Sequence, residues 1–213
     1  MALPLRLVVG LGNPGRRYVA TRHNAGAWFV ERLADALNLT LEAEARFKSA
    51  VARARAPDGG DLRLAVPRSY MNDSGYPVMA LARYYRISLP EILVAHDELD
   101  LKPGSVKLKL GGGSAGHNGL KDIVEQLGES GFWRLRIGIG HPRDAETIEG
   151  EVVDYVLHPP RAEEKREIDE AIARALAAWP QIAAGDTERA MQSLHTKSAA
   201  RDAGAGKSDE SGA

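Results

Sequence analysis

A histidine, a carboxylate and several carboxamides stand where this chain leaves its apolar runs. Leu5–Gly10 reads as a buried strand and leads into a loop carrying Asn13, Tyr18 and His23. Asp61–Val66 reads as a second strand and leads to Tyr70, Met71 and Asn72; Glu91–Ala95 is a third and leads to Asp97. Open α/β sheets gather functional groups beyond the carboxyl ends of their strands. With these strands as parallel neighbours, His23, Asp97 and the amides share one rim. That set suits hydrolysis. A neutral imidazole titrates near neutrality and can take a proton from water. A carboxylate on its other ring nitrogen fixes the tautomer and stabilises the imidazolium. Asn13, Asn72 and Asn118 can hold peptide groups or a developing oxyanion. The sequence has no cysteine and no Gly-x-Ser-x-Gly elbow, which favours direct attack by water over a covalent intermediate.

Other readings of the same residues are plainer. His23-Asn24 could cap a helix, and loop asparagines often serve turns. His96-Asp97-Glu98-Leu99-Asp100 resembles a metal cluster, but adjacent residues on a strand face opposite sides, so a metal site is not expected there. His141, His158 and His195 stand without ligand spacing and read as structural or surface residues. Gly10–Gly15 has the spacing of a dinucleotide-binding turn. Yet the helical pattern opens only about ten residues later, near Asn24, and the run Leu62–Val66 ends in Pro67-Arg68 where a ribose-binding acid is needed. No nucleotide cofactor is expected.

The elements that must position these groups follow from periodicity. Asn24 is expected to cap a helix through Trp28, Phe29, Leu33 and Leu37. Phe47–Ala56 and Asp61–Val66 read as strands joined at Pro57-Asp58-Gly59-Gly60. Ser74–Tyr85 reads as a helix. Ser105–Leu110 alternates, with Val106, Leu108 and Leu110 on one face and Lys107 and Lys109 on the other. Gly111–Gly116 is a mobile loop in this reading, and a helix over Gly119–Leu127 stops at Gly128. Arg134–Ile139 alternates again, placing Arg134 and Arg136 on a polar face. Pro159-Pro160 precedes a helix with Ile168, Ile172 and Leu176 four apart, and a short helix covers Asp186–Leu194. The sum is an α/β fold: a single three-layer domain, residues 1–195, with a twisted mixed β-sheet flanked by helices. Residues 196–213 lack large apolar side chains and read as a disordered tail.

Composition narrows the function classes. Among 213 residues, 44% are hydrophobic and 27% charged, as in ordinary globular domains. No apolar run approaches the roughly 20 residues of a membrane span, and the first residues lack a signal-peptide pattern, so a cytoplasmic protein with no membrane partner is expected. The formal net charge is −1, so any polyanion must meet a local basic surface. One exists: residues 102–143 hold seven Lys/Arg against three acids. Lys107, Lys109, Arg134 and Arg136 sit on polar strand faces there, beside glycine-loop N–H groups able to approach an anion.

Six blocks carry a further signal: Gly10–Gly15, Thr21–Gly26, Tyr70–Gly75, His96–Asp100, Gly111–Gly119 and Arg134–Pro142. In sequence and order they resemble the signature blocks of bacterial peptidyl-tRNA hydrolases, over roughly residues 5 to 195. The resemblance implies a monomeric α/β enzyme, free of metal and cofactor, that recycles tRNA from peptidyl-tRNAs released prematurely from ribosomes. Stalled large ribosomal subunits are a further partner under it. It makes His23 the catalytic base, held in its basic form by Asp97, and gives Asn13 a part in distinguishing blocked from free aminoacyl ends. Tyr18, Tyr70, Asn72 and Asn118 line a channel for the peptide and the tRNA 3′ end, with Met71 packed in it. Lys107, Lys109 and Arg136 become a clamp on the tRNA 5′ phosphate. Tyr70 stands where many members carry Phe, and Ser114-Ala115 departs from the common His-Gly of the glycine loop. A non-catalytic, splicing-factor-like RNA binder on the same scaffold is the alternative; a histidine-dependent esterase on small substrates is a third reading.

Overall fold

A computed structural model of the chain describes residues 2–144 and 151–195. The segment read as a tail, 196–213, lies outside the described residues. Among the described residues, seven strands form one sheet: β1 (Leu7–Gly10), β2 (Glu42–Glu44), β3 (Ser49–Arg55), β4 (Asp61–Pro67), β5 (Ile92–Glu98), β6 (Val106–Leu110) and β7 (Trp133–Gly138). Their spatial order is β2-β3-β4-β1-β5-β7-β6. β4, β1, β5 and β7 run parallel, while β2, β3 and β6 are antiparallel to their neighbours. The sheet is therefore mixed, and the three strands that lead to Asn13, Asn72 and Asp97 are adjacent and parallel.

Period-two alternation splits the core into two layers. Val8, Leu93, Leu135 and Ile137 pack with residues of α1 (Ala25–Ala36), α5 (Ala162–Ala177), α6 (Trp179–Ala184) and α7 (Thr187–His195), where Phe29, Ile168, Ile172 and Ile182 are buried. Leu7, Val9, Ile92 and Val94 pack on the other side with Val78 and Leu81 of α2 (Gly75–Tyr85) and Leu120 and Ile123 of α3 (Asn118–Leu127). Covered on both faces, β1 and the first four residues of β5 need unbroken apolar runs, and they have them. At the β7–β6 end, α5 and α7 lie on the face that carries Val106 and Leu108. The opposite face carries the basic side chains.

One glycine decides how closely α1 can approach. A Cβ on Gly26 would sit 2.1 Å from the carbonyl oxygen of Ala95, so only glycine lets the start of α1 press onto β5. The backbone closes the contact: the Leu11 amide donates to Ala95 O at 3.0 Å and the Ala27 amide to Leu11 O at 2.9 Å. The turn just before α1 is thereby held over the end of β5.

Several local expectations change. Asn24 precedes α1 but makes no side-chain cap; its amide is engaged with the backbone of Asn13 instead. The strand expected to end at Ala95 runs on to Glu98, so His96 and Asp97 are strand residues. Leu110 is half exposed, at the end of an edge strand, rather than buried like Val106 and Leu108. Two helices have no counterpart in the periodicity. α4 (Val152–Val156) is only five residues long, and α6 carries Pro180 in its first turn, where proline lacks no helical bond. Among the described residues, no helix is long and apolar enough to cross a membrane.

Candidate active site

The carboxyl ends of β4, β1 and β5 open into a cleft of about 640 Å³. Asn13, Tyr18, His23, Tyr70, Met71, Asn72, Asp97 and Asn118 all line it. Eight residues expected from four separate stretches of sequence thus meet in one space.

His23 lies in a short 3₁₀ turn, Arg22–Asn24, that the Gly26 contact holds over β5. Its Nδ1 is 2.9 Å from Asp97 Oδ1 and 3.0 Å from Oδ2. A carboxylate can only accept there, so Nδ1 carries the hydrogen and Nε2 keeps its lone pair for the cleft. Asp97 is 3% exposed and His23 8%. Burial works to lower the His23 pKa, but the charge of Asp97 and its hydrogen bond outweigh that and hold it above the ordinary value. Burial likewise favours the neutral form of Asp97; the two imidazoles beside it overcome this and keep its pKa well below the carboxylate range. The carboxylate is charged, and His23 binds a proton somewhat more strongly than a free imidazole.

The second imidazole is His117, which the sequence reading passed over. Its Nε2 donates to Asp97 Oδ1 at 3.0 Å, while its Nδ1 accepts the Leu120 amide at 3.3 Å and caps α3. The rings of His23 and His117 are 4.9 Å apart. His96 completes the group. Its Nδ1 donates to the Asp97 carbonyl oxygen at 2.7 Å, and its ring meets that of His117 at 5.1 Å. Burial, helped by His117, pushes the His96 pKa down to about 3, so this ring stays neutral and adds no charge to the site. His23, Asp97 and His117 place three possible metal-ligand atoms within 4.8 Å of one another. This is a different set from the His96–Asp100 run weighed in the sequence. Its separations of 2.9 and 3.0 Å are those of N–H···O bonds aimed at one carboxylate.

Asn13 is fixed on three sides. Its backbone N–H donates to Asn24 Oδ1 at 2.9 Å, its carbonyl accepts Asn24 Nδ2 at 3.0 Å, and its own Oδ1 accepts the Met71 amide at 2.8 Å. With the oxygen engaged, the Nδ2 hydrogens are what Asn13 offers the cleft. Tyr18 and Tyr70 meet edge to face at 6.3 Å, and Tyr70, 57% exposed, forms part of the rim. The other walls come from Ser114–Gly116 of the glycine loop, from His141, and from the α4 side chains Val152, Val153 and Val156.

Arg22, next to His23 in the chain, is fully buried. Its guanidinium donates to the carbonyls of Tyr155, His158 and Pro159 and to Glu164 Oε2 at 2.6 Å, and it stacks on the Tyr155 ring. The turn bearing His23 and the α4 wall are therefore fastened through one side chain.

Lys107, Lys109 and Arg136 lie outside the cleft lining, on the outer face of β6 and β7. Lys107 and Arg136 are register partners, and Arg136 Nε donates to Glu98 Oε2 at 2.8 Å. Arg134 departs from the solvated polar face expected of it. It is 3% exposed and its guanidinium donates to the carbonyls of Gly112 and Gly113. The glycine loop is thus tethered to β7. Sequence reasoning missed His117, His96, His141 and the α4 wall. His117 alone had a local signal, a polar side chain at the start of a helical run; the others become neighbours only through the fold.

Comparison with known proteins is consistent across sequence and structure. A family model described as peptidyl-tRNA hydrolase matches residues 7–202. A peptidyl-tRNA hydrolase of Nitrosomonas europaea is 54% identical over 197 residues, covering 92% of this chain and 98% of its own. One from an Azoarcus species is 55% identical over 198 residues, covering 93% of this chain and 88% of its own. A crystal structure of peptidyl-tRNA hydrolase from Acinetobacter baumannii superposes with a TM-score of 0.83 at 44% identity, covering 89% of this chain and 94% of that one.

Proposed function

The chain belongs to the peptidyl-tRNA hydrolase family, and from that premise we propose how its own residues carry the reaction. It is an enzyme that hydrolyses the ester joining a peptide, or an N-blocked aminoacyl group, to tRNA. A water molecule in the cleft gives a proton to His23 Nε2 as its oxygen attacks the ester carbonyl carbon. Asp97 holds the ring by Nδ1 and stabilises the imidazolium that forms. Negative charge develops on the former carbonyl oxygen and is steadied by an Asn amide or a loop N–H; Asn13 Nδ2 is a candidate, its own oxygen being engaged by the Met71 amide. Collapse breaks the bond to the ribose oxygen, which takes the proton from His23. The products are a tRNA hydroxyl and a peptide carboxylic acid, which loses its proton to solvent.

Binding divides between the cleft and the outer strands. Asn72 and Asn118 grip the peptide backbone, so side chains can vary. Tyr18, Tyr70 and Met71 enclose the acylated 3′ end. Lys107, Lys109 and Arg136 hold the 5′ phosphate of the acceptor stem, so tRNA sequence matters little. In this reading the enzyme works as a cytoplasmic monomer, without metal or cofactor. It recycles tRNA from peptidyl-tRNAs dropped prematurely, including those on stalled large ribosomal subunits.

The observation that carries the proposal is the contact of His23 Nδ1 with both oxygens of the buried Asp97. Incubating N-acetyl-aminoacyl-tRNA with the protein and with His23→Ala tests it. Free N-acetyl amino acid is expected with the former only; equal release by both overturns the assignment of the base.

A further inference from the structure

One polar row crosses three neighbouring strands at the β6 end of the sheet: Glu98 on β5, Arg136 on β7 and Lys107 on β6. Arg136 pairs in register with Lys107 on one side and with His96 on the other, and Glu98, two residues on from His96, shares that face. Glu98 is only 7% exposed, unusual for a carboxylate. Both of its oxygens are committed: Oε2 accepts Arg136 Nε at 2.8 Å and Oε1 accepts the Asp100 amide at 3.2 Å. The bond to Arg136 uses Nε, the nitrogen on the stem side of the guanidinium. It leaves the two terminal nitrogens, the fork that meets an oxyanion bidentately, outside the contact.

We propose that Glu98 is a positioning residue, holding Arg136 by its Nε so that the terminal fork faces the substrate's 5′ phosphate. This deepens the phosphate-clamp reading given above and rests on it. An unheld arginine loses more rotamer freedom on meeting the phosphate than one already fixed. A plain charge argument points the other way: a carboxylate beside the clamp repels phosphate, so its removal should strengthen the clamp. The two effects give opposite signs, which makes the role measurable.

The test compares kcat/KM for N-acetyl-aminoacyl-tRNA bearing a 5′ phosphate with the same substrate after dephosphorylation. The ratio cancels general damage to folding or chemistry, which acts on both substrates alike. The unsubstituted enzyme is expected to favour the phosphorylated form by roughly tenfold or more. Glu98→Ala, which removes the acceptor, and Glu98→Asp, which keeps the charge but shortens the reach, are expected to bring the ratio within about threefold of that of Arg136→Ala. Glu98→Gln, which keeps an acceptor at the same reach, is expected to retain it within about threefold. A ratio in Glu98→Ala and Glu98→Asp as large as in the unsubstituted enzyme, or larger, overturns the positioning role. If Arg136→Ala has lost the preference in that case, the clamp itself stands. If Arg136→Ala also keeps the full preference, or the unsubstituted enzyme has none, the clamp reading falls and takes the inference with it.

Discussion

At the rim of β4, β1 and β5, His23, Asp97 and His117 are nearly dry and committed to one another. Two strands away, Lys107 and Lys109 stand in water on the outer face of β6. Both regions are charged, yet their physics differs. Near a protein surface a pair of unit charges 4 Å apart interacts several times more strongly than the ~1 kcal/mol found in bulk water. In the dry rim this suffices to move pKa values and select a tautomer. On the wet face each charge is screened within about 8 Å at physiological salt, so the lysines supply attraction and steering rather than fixed geometry. Arg134 and Arg136, two residues apart on one strand face, mark the boundary. The first is buried against the carbonyls of the glycine loop, while the second reaches the edge and meets Glu98.

Breaking the dry region should have the largest effect. His23→Ala is expected to lower kcat by roughly two to four orders of magnitude while tRNA binding, followed by filter retention, persists. Turnover near that of the unsubstituted enzyme would remove the rim from the chemistry altogether. Asp97→Asn should cost about a hundredfold or more, because an amide lacks the charge that stabilises the imidazolium and puts an NH2 donor in place of one of the two oxygens that His23 Nδ1 meets. The pH profile sharpens the comparison. In the proposed mechanism His23 must be neutral to act, and its pKa is raised, so the rising limb of kcat/KM should lie above about pH 6.5. In Asp97→Asn burial acts without the opposing charge, and the limb should move to lower pH. Stability has the matching sign: the contribution from protonated His23 is present below its unfolded pKa and is lost as pH rises through the folded one. The wet region should yield the smallest effect. Lys107→Ala is expected to raise KM by roughly two- to tenfold and to reduce the slope of log KM against log salt by about 1, with kcat unchanged. A salt-independent KM in the unsubstituted enzyme would count against the outer face as a tRNA-binding surface.

Much of this plan was legible in the residues. The apolar runs at Leu7–Val9 and Ile92–Ala95 announced strands covered on both faces, and their ends named the rim. Alternation through Lys107 and Lys109 placed them outward, as observed. What alternation could not separate was Arg134 from Arg136, since both obey the same period; only the position of the glycine loop buries one of them. His117 showed its capping position at the start of a helical run, but its place beside Asp97 was hidden for a similar reason. Its role depends on α3 beginning beside the end of β5, a long-range contact that no local pattern encodes. The α4 wall was too short to show a helical period. Asn24 misled because capping and cross-linking a neighbouring loop call for the same side chain.

The double use of His117 reaches beyond the cleft. A peptide N–H in the first turn of α3 feeds one face of that ring, the ring's other nitrogen feeds Asp97, and Asp97 receives the base. The three links form a single thread that converges on Asp97: the electropositive end of the helix feeds the carboxylate through His117, and His23 donates to it from the other side. Fraying one turn of α3 would slacken that thread and leave Asp97 with a single partner. It would thereby retune the reactive nitrogen from a distance, with no atom of the cleft's surface replaced.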